Sequence, residues 1–82
     1  VAETLSVVVH EPAGGGIPYL EWYSDPANAD RGLAYWERRE GMTRLYTSSA
    51  PPSEHRGSGD EVRAWLLGRY FAGALTEEVS RG

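Results

Sequence analysis

Residues 58–82 read SGDEVRAWLLGRYFAGALTEEVSRG, and this stretch decides the fold class. Ser58 followed by Glu61 matches a capping box, in which hydroxyl and carboxylate each satisfy an orphan backbone N–H. Asp60 and Glu61 also place negative charge at the positive end of a helix dipole. At 100° per residue, Val62, Trp65, Leu66, Ala72 and Val79 fall near one side. Leu67, Phe71 and Leu75 point elsewhere, with Tyr70 and Ala74 filling the gap towards Leu66. A helix apolar over so much of its surface is buried on more than one side. The reading is one C-terminal helix, bent if need be at Gly68 and Gly73, each of which costs about 1 kcal/mol relative to Ala. One side packs on the protein's own sheet. The other, through Leu67, Tyr70, Phe71, Ala74 and Leu75, is the expected interface of a homodimer. Membrane insertion is not expected, because Arg69 interrupts the run and a span needs about 20 mostly apolar residues.

Composition agrees with association. Eighty-two residues make a single domain, residues 1–82. A domain of that size buries only about 60% of its unfolded surface, so it is marginal alone. There is no cysteine, which removes disulfides, thiolate catalysis and cysteine metal sites. The net charge is −4, and all eight basic residues are Arg. That balance argues against general nucleic-acid affinity, which rests on neutralised phosphates. The N-terminus, VAETLSVVVHE, lacks the positive region and long apolar core of a signal peptide. Val1, read as a GTG start codon, implies a cytoplasmic protein.

Nearer the N-terminus, Leu5–His10 is a β-branched apolar run and reads as a strand. Leu5, Val7 and Val9 share one face; Ser6, Val8 and His10 share the other. Tyr19–Tyr23 (YLEWY) reads as a second strand, joined antiparallel to the first through the Gly-rich loop at residues 11–18. The middle admits two readings. Asp25-Pro26 resembles a helix N-cap with Pro at the first helical position, and Gly41 resembles a stop. Against a long helix stands Gly32. The alternative is a hairpin over residues 33–48 turning at Glu40-Gly41. It sets Trp36 opposite Leu45, Glu37 opposite Arg44 and Tyr35 opposite Tyr46, pairs that cross-strand packing rewards. The hairpin is the preferred reading. The expected fold is therefore α+β: an antiparallel sheet of about four strands with the C-terminal helix across it. The order ββαβα is the alternative.

No motif carries specific chemistry. His10 with Glu11, and His55 with Glu54, lie in separate regions and lack any short metal-ligand spacing. Neither histidine is expected to bind metal or act as a catalytic base, and no cofactor is expected. Gly14-Gly15-Gly16 is followed by neither the Gly-Lys-Ser/Thr of a phosphate loop nor a helix. Arginines and aromatics do gather at the expected hairpin. Tyr35, Arg38, Arg39, Arg44 and Tyr46 form a candidate surface for an acidic protein partner or for stacked bases. Trp22, Trp36 and Trp65 are expected to meet in one core. The functional expectation is a non-catalytic protein-binding or assembly module, acting as a homodimer. A nucleic-acid-binding regulator using the Arg/aromatic hairpin is the first alternative. A small enzyme or ligand-binding subunit is the second.

Overall fold

Asp25 sets the element that comes after the second strand. In the computed structural model, which describes residues 4–78, its carboxylate accepts a hydrogen bond from the Ala27 N–H at 2.9 Å. Pro26 then opens helix α1, Pro26–Glu37. Before it run β1, Thr4–Pro12, and β2, Tyr19–Tyr23, paired antiparallel with Val7 opposite Trp22 and His10 opposite Tyr19. Their connection turns at Gly15 and Gly16, whose φ values of 85° and 102° suit glycine.

The hairpin expected over residues 33–48 does not form. Residues 33–37 belong to α1, and only Gly41–Ser49 is a strand, β3. It pairs with β1, with Val9 opposite Arg44 and Val8 opposite Leu45. The helix wins because Ala29, Leu33 and Trp36 recur at helical spacing and pack on Val8 and Leu45. Burying such side chains stabilises by about 1.5–3 kcal/mol each, which outweighs the roughly 1 kcal/mol penalty of Gly32. Trp36 does pack on the core that contains Leu45, but from a helix above the sheet. Gly41, at φ 126°, marks the entry to β3.

The C-terminal helix, α2, spans Gly59–Phe71. Ser58 Oγ accepts from the Glu61 N–H at 3.2 Å, as the capping pattern implied. The helix does not run on to the C-terminus. Gly73, at φ 74°, takes the left-handed conformation that ends a helix. Its N–H donates to Tyr70 O at 3.1 Å, and the Ala74 N–H donates to Arg69 O at 2.8 Å. The chain then reverses into β4, Thr76–Glu77, beside Tyr46 and Thr47. Gly73 is thus a stop and not a bend, and Val79 lies outside the described residues. The fourth strand comes from here, not from residues 33–40.

All strands pair antiparallel, in the order β2-β1-β3-β4. Side chains of a strand alternate between faces, and two cores result. Val7, Val9, Leu20, Tyr46, Leu66 and Leu75 form one with α2; Val8, Ala29 and Leu45 form the other with α1. The sheet is therefore covered on both faces, which explains the unbroken Val7-Val8-Val9 run. The three tryptophans do not meet. Trp22 and Trp65 flank the α2 core and Trp36 the α1 core. The architecture is α+β, as expected. Among the described residues no helix is long and apolar enough to cross a membrane.

Candidate functional site

Among the described residues, strand β2 lies at the margin of the sheet, with β1 on one side only. Three concavities run along its open side. A cavity of about 780 Å³ is lined by Ile17, Pro18, Tyr19, Leu20 and Glu21, together with Trp36 and Arg63. A second, about 220 Å³, continues along Glu21, Trp22 and Tyr23 to Arg63. A third, about 470 Å³, lies between Glu21, Tyr23 and the α1 residues Arg31, Gly32 and Tyr35. Helix α1 supplies one wall and Arg63 of α2 the other.

The α1 wall is a stack of rings. Tyr19 lies against Trp36 with centroids 5.2 Å apart and planes 20° apart. His10 stacks on the same indole at 5.0 Å, and Tyr35 meets it edge-on at 5.3 Å. The Arg39 guanidinium covers Tyr35 and Trp36 at 5.0 and 5.4 Å and donates to the Tyr35 hydroxyl at 2.6 Å. Such cation–π contacts hold the end of α1 in register. On the floor, one oxygen of Glu21 accepts from the Tyr23 hydroxyl at 2.7 Å and from Trp36 Nε1 at 3.1 Å. Burial, then the hydrogen bond and charge of Glu21, push the Tyr23 hydroxyl up to about 12. On the α2 side, Arg63 lies 5.4 Å over the Trp22 ring and 3.3 Å from Asp60.

His10 is only 3% exposed. Its Nε2 lies 3.1 Å from the Glu40 carbonyl, which can only accept, so Nε2 carries the proton. Its Nδ1 lies 2.7 Å from Thr43 Oγ1. In the neutral ring the hydroxyl therefore donates to Nδ1. Both nitrogens are committed within the protein, and the ring ties β1 to Glu40, just before β3, and to Thr43 within it. His55 lies in an exposed turn, 6.4 Å from the Trp65 ring. Among the described residues no three His, Cys, Asp or Glu side chains are grouped to hold a metal.

The Arg/aromatic surface expected at the hairpin is divided. Tyr35, Arg38 and Arg39 lie together at the end of α1. Arg44 and Tyr46 point to the α2 face, because β3 pairs with β1 and alternates across the sheet. Tyr46 is buried in the α2 core. Arg44 Nη2 lies 2.9 Å from Met42 Sδ, and its Nε lies 4.0 Å from Glu77. Nearby, the Tyr70 hydroxyl donates to Glu11. Burial, then Glu11, raise the Tyr70 hydroxyl to about 12.

The expected dimer contacts are divided as well. Leu67 and Tyr70 pack against the core and Leu75 is buried within it. Ala74 is exposed, and Phe71 is 67% exposed, its ring 5.5 Å from that of Tyr70. The breadth of the apolar helix is met largely by one sheet, because Gly73 folds Leu75 back onto it. Ile17, Glu21, Arg31 and Arg63, which shape the cleft along β2, escape sequence reasoning. The alternation in YLEWY shows a two-faced strand but not which strand lies outermost. Comparison with family models, with curated proteins and with solved structures finds no match.

Proposed function

We propose that the chain is a non-catalytic protein-binding module whose contact surface is the cleft along β2, and that it works in the cytoplasm. One observation carries the reading. Ile17, Tyr19 and Tyr35, which are 75%, 56% and 52% exposed, border this one cleft. Exposed apolar and aromatic side chains gathered at a concavity are what an interface needs for its anchors. The buried His10, with both ring nitrogens engaged by Glu40 and Thr43, offers no free base to the cleft. The separation of Arg44 from Arg39 across the sheet weakens the nucleic-acid alternative.

The test compares partner capture by the parent with capture by Ile17→Asp and Tyr35→Glu, two exposed positions. A protein retained by the parent and lost from both variants, then shown to bind as a purified pair, is the expected result. Retention by both variants at parental strength, or the absence of any partner, refutes the reading. Homodimerisation is a second reading, favoured by the exposed Phe71 ring beside Tyr70. Sedimentation at micromolar concentration decides it: twice 9.0 kDa is expected of the dimer.

A further inference from the structure

We propose that the open edge of β2 takes up an extended, acidic segment of a different polypeptide as a fifth strand of the sheet. The inference rests on the protein-binding reading and names the partner's chemistry. Its starting point is the backbone. Among the described residues strand β2 has a neighbour on one side only, so a row of N–H and C=O groups on the other side is left for a partner strand. The residues that carry those groups line the cleft: Pro18–Glu21 in the cavity of about 780 Å³, Glu21–Tyr23 in that of about 220 Å³. A helical or compact ligand cannot complete them; an extended main chain can.

The walls suit a strand too. Side chains of an added strand alternate between faces. One set meets Tyr19, Glu21 and Tyr23 beneath α1; the other meets Leu20, Trp22 and Arg63 on the α2 side. Among the residues lining the three cavities, Glu21 is the carboxylate, and it already accepts two hydrogen bonds. Arg31 and Arg63 are the cations, and the pairing of Arg63 with Asp60 is an exposed one, weak in water. The unbalanced charge is positive, so the segment carries acidic residues. Those on the α2 side meet Arg63, and those on the α1 side reach Arg31 at the rim.

A second copy of the chain fits less well. Full antiparallel pairing of β2 with its own copy centres on Glu21, the middle residue of Tyr19–Tyr23. The two carboxylates then face each other directly, which destabilises a cross-strand pair.

The experiment selects binders to the full chain from a displayed library of random short linear peptides, then synthesises the best. Acidic peptides held in one register are expected. N-methylation of alternate peptide nitrogens should weaken binding roughly three- to tenfold at each, with the intervening positions insensitive. Arg63→Glu should weaken binding at least as much, and hydrogen exchange at the outward β2 amides should slow in the complex. Insensitivity to N-methylation at every position overturns strand addition while leaving the cleft a protein-binding site. Failure to select any peptide also overturns it, and together with no cleft-dependent partner in the capture experiment both readings fall. Dimers of the chain alone, with protected β2 amides, assign the edge to a second copy and overturn the claim of a different polypeptide.

Discussion

Helices α1 and α2 each hold an interior glycine, and alanine at the two positions should shift stability in opposite directions. Propensity alone makes both changes stabilising by about 1 kcal/mol. At Gly68 a Cβ meets nothing within 4 Å, so that gain should be realised. At Gly32 a Cβ falls on the hydroxyl and ring of Tyr23. Tyr23 must move, and its 2.7 Å hydrogen bond to Glu21 is lost. A hydrogen bond to a charged group contributes about 1.5–3 kcal/mol, the lower end applying to a half-buried pair. Gly32→Ala should therefore be net destabilising by roughly 0.5–2 kcal/mol, which sets the two variants about 1.5–3 kcal/mol apart. For a small domain unfolding in urea with a slope of about 1 kcal/mol per molar, the midpoints should differ by about 2 M. Equilibrium unfolding followed by tryptophan fluorescence and by far-ultraviolet circular dichroism measures this. In a Tyr23→Phe background the Gly32→Ala penalty should shrink by about 1.5 kcal/mol or more, because the bond is already absent. Equal upward shifts for both alanines would refute the placement of Tyr23 against α1.

Four further outcomes are expected. Leu66 is 0% exposed at the centre of the α2 core, so Leu66→Ala should cost about 3–5 kcal/mol. That is a large share of the roughly 4–12 kcal/mol a chain of this length commands, and an unchanged urea midpoint would contradict the core. Leu67→Glu should unfold the chain instead of merely weakening association, since Leu67 packs on the core. Phe71→Glu should leave the melting temperature alone and lower the sedimenting mass if self-association runs through that ring. Finally, stability should fall as pH rises from about 10 to about 12. The folded chain holds the Tyr23 and Tyr70 protons to about 12, whereas the unfolded chain releases them near 10. The folded state is then the more protonated one, and rising pH favours unfolding. Urea midpoints at successive pH values test this. With both Glu11→Gln and Glu21→Gln the fall should still begin near about pH 10 but be smaller and end at lower pH, because only the folded-state values drop; a midpoint that rises through this range would reverse the assignment.

Local chemistry was legible without the fold. The β-branched run of β1 and the alternation of YLEWY named two strands and their faces correctly. Ser58 announced the start of α2, and Asp25-Pro26 signalled α1 even though the hairpin was preferred. These signals work because a cap or a pleat involves residues a few positions apart. Tertiary structure decided the rest. The pairs that recommended a hairpin were good ones, and Leu33 and Trp36 could have served in either element. Two strands and one helix differed locally by little more than the roughly 1 kcal/mol of Gly32. Burial against Val8 and Leu45, which come from elsewhere in the chain, favoured the helix. In the same way Gly73 was a bend or a stop until Leu75 found the core and Thr76–Glu77 found β3. The cleft was least legible of all. An edge is a property of strand order, and strand order is set by which distant faces bury together.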